Sequence, residues 1–162
     1  MKRGNVEVIC GEGLGKTSLA LGKGLSALME HKRVIMIQFL KGCSPKDEQE
    51  ILERLEVFRF EKSNTFFEEL SEEEKAEELI NIRNGFNFAR KVAATGECDV
   101  LILDEVLGII DQNIITLEDV EKLLEVKEED LNLVMTGKVF PEKLKPYVDA
   151  ISRIEYIQDL QD

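Results

Sequence analysis

Short apolar runs rich in Val and Ile recur along the chain, separated by segments whose apolar residues return every three or four positions. The runs Val6 to Cys10, Val34 to Phe39, Val57 to Phe60, Val100 to Leu103, Leu131 to Met135 and Ile151 to Ile157 predict buried strands. The intervening periodicity predicts helices over Lys16 to Met29, Asp47 to Leu55, Glu72 to Ala94 and Leu117 to Leu124, with a short one after Pro141. Terminus signals agree with two of these. Ser71 followed by Glu74 forms a capping box, Thr116 followed by Asp119 a weaker one, and Gly96 supplies the stop of the long helix. Strands alternating with helices imply an α/β fold, with a mostly parallel sheet covered on both faces.

Composition narrows the picture. At 162 residues the chain is expected to form one domain spanning 1–162, large enough to bury roughly 70% of its unfolded surface. No apolar run approaches the ~20 residues that cross a bilayer, so a cytoplasmic protein without a membrane partner is expected. Cys10, Cys43 and Cys98 are odd in number and widely spaced, which favours buried reduced thiols over disulfides or a zinc site. The net charge of −12 argues against a nucleic-acid partner. Charge is nonetheless unevenly spread: residues 1 to 42 hold seven Lys or Arg against three acidic residues. The glutamates from Glu68 to Glu78 suit the start of a helix better than a metal site.

The local excess of positive charge surrounds Gly11-Glu12-Gly13-Leu14-Gly15-Lys16-Thr17-Ser18, which follows the first strand and opens the first helix. That is the context of a phosphate-binding loop, in which backbone N–H groups, a helix N-terminus and a mobile lysine converge on phosphate oxygens. The usual first glycine is displaced, since Cys10 occupies its place and Gly11 follows. A dinucleotide fold would need a third glycine where Lys16 stands and an acidic residue where the second strand ends in Gln38. The phosphates of a mononucleotide, a nucleoside triphosphate, are therefore the expected ligand, on a P-loop NTPase-like three-layer sandwich. Thr17 offers a hydroxyl to magnesium, and the apolar strand ending in Asp104-Glu105 brings carboxylates towards the same ion. Two further strand ends belong to this rim: Gln38-Phe39-Leu40-Lys41-Gly42, whose Lys41 could reach a phosphate, and Thr136-Gly137-Lys138, which combines close backbone approach with a second cation. Phe66 and Phe67, in an aperiodic and exposed-looking stretch, suit a loop that covers a ligand.

Together, Gly11 to Thr17, Gln38 to Gly42, Leu103-Asp104-Glu105 and Thr136-Gly137-Lys138 with Pro141 resemble the P-loop type of ATP:corrinoid adenosyltransferase, in order and spacing, from Val6 to about Tyr156. The resemblance implies transfer of the 5′-deoxyadenosyl group of ATP to cobalt(I) of a corrinoid, with release of triphosphate. It implies Lys16 and Glu105 as catalytic groups, Thr17, Asp104 and Glu105 as magnesium ligands, and Phe66 and Phe67 on the corrinoid side. A reductant flavoprotein and a homodimer are implied as partners. The sequence departs from the family in having no tryptophan where a Phe-x-Trp element is usual, and Lys138 where an arginine is usual. Two other readings keep the same loop: a P-loop kinase or ATPase releasing ADP, and a non-catalytic ATP-binding regulatory module.

Overall fold

A computed structural model describes residues 3–41, 55–63, 65 and 67–160 of the chain. The strands are β1 (Val6–Cys10), β2 (Val34–Gln38), β3 (Glu56–Phe58), β4 (Val100–Asp104), β5 (Asn132–Thr136) and β6 (Ala150–Arg153). The helices are α1 (Lys16–Met29), α2 (Glu72–Thr95), α3 (Val106–Asp111) and α4 (Leu117–Val126), with 3-10 turns at Phe67–Glu69 and Glu142–Tyr147. Every expected strand forms. The helix expected over Asp47 to Leu55 lies outside the described residues save for Leu55, as do Gly42 and Cys43.

The strands make one sheet in the order β3-β2-β4-β5-β1-β6, and every pairing is parallel. Both faces of the central strands are apolar because both are covered, as a parallel sheet with crossover helices requires. Ile35, Ile37, Leu101, Leu103, Leu133 and Met135 point to the larger core, which α2 joins through Ile82, Phe86, Ala89 and Val92. Their alternates Met36, Ile102 and Val134 point to a smaller core that meets Ala20 and Ala27 of α1. The result is a three-layer α/β arrangement of the P-loop type.

Two departures from the sequence reading have local causes. The last strand was expected to be buried, but all four residues of β6 are exposed, because β6 pairs only with β1 and forms the sheet edge. Val106–Asp111 was not expected as a helix. It is only six residues long, and Val106, Leu107 and Ile109 are all buried, so its apolar run carries no helical period. Both capping boxes are present, at Ser71 with Glu74 and at Thr116 with Asp119, and Gly96 ends α2 at φ 64°.

Candidate functional site

The sheet order sets Gln38, Asp104, Thr136 and Cys10 along neighbouring strand ends, β2, β4, β5 and β1, and the loop Gly11 to Ser18 continues from the last of them. Ligands of parallel α/β sheets bind at this carboxyl edge. Lys16 is buried and donates to the Gly13 carbonyl at 2.8 Å, so its ammonium folds back over the loop. Gly15 caps α1 at φ 105°, with no heavy atom within 4 Å of where a Cβ would be. It leaves space in front of the helix N-terminus, the place an anion would take. Gly11 has a different reason for being glycine. At φ 111°, a Cβ there would lie 2.3 Å from the Ile154 carbonyl oxygen, which accepts from Gly13 N at 2.9 Å. The displaced glycine thus admits the segment after β6, whose Tyr156 hydroxyl also accepts from Leu14 N at 3.3 Å.

Asp104 has no exposed surface and is the centre of the polar network. The Thr136 hydroxyl donates to its Oδ1 at 2.8 Å, and Thr17 Oγ1 lies 3.0 Å from Oδ1 and 3.1 Å from Oδ2. Gln38 Nε2 donates to Oδ2 at 3.3 Å, and Lys41 Nζ stands 3.4 Å from it. The directions are mutually consistent, because each threonine hydroxyl also accepts. Lys41 Nζ donates to Thr17 Oγ1 at 3.2 Å, and Glu105 N donates to Thr136 Oγ1 at 2.9 Å. Lys41 is therefore tied to the loop and to Asp104 together, beyond what an exposed loop lysine would show.

Glu105 takes a left-handed backbone, φ 63°, at the start of α3. Burial and then the Asp104 charge push its carboxyl above the usual range, against the pull of Lys41, Lys16 and Lys138. Oxygen donors of this kind, a hydroxyl and two carboxylates beside the loop Gly11 to Ser18, are of the hard type that magnesium prefers. Among the described residues no group of three or more His, Cys, Asp or Glu could hold a metal by itself, so phosphate oxygens would have to complete such a site.

The remaining expected residues fall around this centre. Glu12, Leu14 and Ser18 are exposed along the loop. Gly137 is buried against α3, where a Cβ would meet Leu107 Cβ at 2.3 Å, so its close approach is to the helix. The Lys138 carbonyl accepts from Gly11 N at 2.9 Å, and its side chain is exposed. Phe66 lies outside the described residues. Phe67 was expected to be exposed. It is partly buried against the larger core, and Lys75 Nζ lies 5.9 Å from its ring centre. It also lines a pocket of about 200 Å³ with Leu40 and Gln112, next to Lys41 in the chain.

Sequence reasoning missed how Gln38 is held. Arg59 Nε donates to Gln38 Oε1 at 2.7 Å, which fixes the amide so that its nitrogen faces Asp104. It missed the Ile154 to Tyr156 clasp as well. Both depend on which strands are neighbours, β2 beside β3 and β4, and β6 beside β1, and no local spacing encodes that.

Comparison with known proteins places the site in context. The family model described as ATP:corrinoid adenosyltransferase BtuR/CobO/CobP matches residues 2–161. A corrinoid adenosyltransferase of Escherichia coli (strain K12) is 26% identical over 161 residues, which cover 99% of this chain and 81% of the relative. Corrinoid adenosyltransferase CobA of Salmonella typhimurium (strain LT2) is 25% identical over 161 residues, with the same shares covered.

Proposed function

Since the chain belongs to the ATP:corrinoid adenosyltransferase BtuR/CobO/CobP family, we propose that it transfers the 5′-deoxyadenosyl group of ATP to the cobalt(I) of a corrinoid and releases triphosphate. The observation that carries this reading is the family match along nearly the whole length of a chain whose loop, Asp104 and Lys41 are hydrogen-bonded into one unit.

In this reading the cobalt(I) electron pair forms a bond to the ribose C5′. The C5′–O bond breaks, and its electron pair leaves on triphosphate. No proton moves, so no general base is needed. The chain contributes positioning and electrostatics. Loop amides and Lys16 hold the triphosphate, and Lys41 and Lys138 add positive charge at the rim. Lys16 and Glu105 are the catalytic groups, Lys16 by stabilising the leaving charge. Thr17, Asp104 and Glu105 would hold magnesium, which supplies further neutralisation of that charge when bound. Phe67 and Leu40 supply apolar surface on the corrinoid side, and a reductant flavoprotein delivers the corrinoid in its cobalt(I) state. The whole chain acts as one P-loop nucleotide-binding domain.

The test is incubation of the protein with MgATP and chemically reduced corrinoid. A new cobalt–carbon bond with stoichiometric triphosphate is the expected result. ADP as product would make the protein a kinase or ATPase, and ATP binding without turnover would make it a binding module; either outcome overturns the proposal.

A further inference from the structure

Beside the phosphate loop, on the sheet side away from α1, lies a second pocket of about 280 Å³. Cys10, Phe140 and Ile151 give it apolar walls, and Lys138, Lys145 and Arg153 bring three cations to it against a single acid, Glu142. The cations come from three separate segments: the turn after β5, the 3-10 turn Glu142–Tyr147 and the end of β6. None of the three side chains forms an ion pair or a side-chain hydrogen bond among the described residues. In a chain of net charge −12, acidic partners are plentiful. Like charges gathered without a partner repel one another, and a bound anion relieves that repulsion.

Position and size narrow the ligand. The Arg153 stem crosses the start of the loop, its Cγ lying 2.9 Å from where a Cβ on Gly11 would be. The pocket therefore borders the loop and shares Lys138 with its rim, but Lys145 and Arg153 are cations of its own. At about 280 Å³ it lies at the small end of ligand pockets, which run from about 300 to 1,000 Å³. One acid group on a small apolar body suits it, with the acid towards the cations and the body against Phe140 and Ile151.

We propose that this pocket is a second anion-binding site, separate from the phosphate loop, that takes a carboxylate or phosphate group carried on a small apolar body. The assignment does not depend on the transfer reaction. Two sources share the chemistry: a free small acid, and an acidic arm of a larger acceptor substrate.

Calorimetric titration of the Lys16→Ala protein with phenyl phosphate and with inorganic phosphate tests it, because that substitution disables the loop. One saturable site is expected, tighter for phenyl phosphate, and weakened about fivefold or more by Arg153→Gln and by Lys145→Gln in the same background. Binding that is lost in Lys16→Ala alone would assign the anion to the loop and overturn the proposal. So would binding that neither substitution weakens, or equal affinity for the two phosphates. Adding a corrinoid with free carboxylates separates the sources: displacement of phenyl phosphate assigns the site to an acceptor arm, and retention assigns it to a free acid.

Discussion

A fully buried carboxylate is stable only while donors surround it, and Asp104 draws on Thr136, Thr17, Gln38 and Lys41. Asp104→Asn would turn an amide NH₂ towards some of those donors. It should cost about 1–3 kcal/mol in urea denaturation even without ligand, which isolates its structural part from the metal-binding role proposed for it. Lys16→Ala should lower kcat/KM for ATP by about 100-fold or more, with folding stability close to wild type. Cys98 offers a check of burial by pH. Desolvation pushes its thiol up to about 11 from an ordinary 9.0, so the folded state keeps a proton that the unfolded chain gives up. That contribution is complete below pH 9 and is lost as pH rises through about 11, so stability should fall across that window in Cys98 protein and less in Cys98→Ala. At this scale the sequence was most legible in placement: Lys16 sits buried in the loop, and Thr17 and Asp104 meet within hydrogen-bond reach, as their positions after strand ends suggest. Gln38 gave no such signal, since its role is set by Arg59 on one side and Asp104 on the other.

Elements were legible where their periodicity was strong. α1 occupies the span its pattern predicts, and α2 is one residue longer, because capping chemistry and a left-handed Gly96 mark the ends of α2 in the sequence itself. Ser71 accepts from Glu74 N at 3.2 Å while Glu74 Oε2 accepts from Ser71 N at 3.0 Å. Ser71→Ala should therefore cost about 1 kcal/mol in thermal or chemical unfolding, with little effect on nucleotide affinity, since the capping side chains hydrogen-bond each other's backbone amides and not the loop. α3 escaped notice for the opposite reason. A six-residue helix with three buried apolar residues has no polar face to betray it, yet it supplies Leu107, against which the turn after β5 packs.

For the whole molecule, alternation of strands and helices was enough to give a parallel sheet, but strand order was not in the pattern. The placement of β6 outside β1 comes from pairing at a distance, with Val8 opposite Ile151 and Cys10 opposite Arg153. That placement exposes β6 and brings the following segment onto the loop. If the loop binds ATP, MgATP at about 100 times its Kd should stabilise the fold by about 2.7 kcal/mol, seen as a raised Tm, and Lys16→Ala should abolish the shift.

The contact between Tyr156 and Leu14 makes the protein its own reporter. The chain contains no tryptophan and only two tyrosines, and the other, Tyr147, hydrogen-bonds Glu125 Oε1 at 3.3 Å from the turn that follows Pro141. Excited near 280 nm, a Tyr147→Phe variant would emit from a single phenol, whose hydroxyl rests on the loop amide that an arriving phosphate would claim.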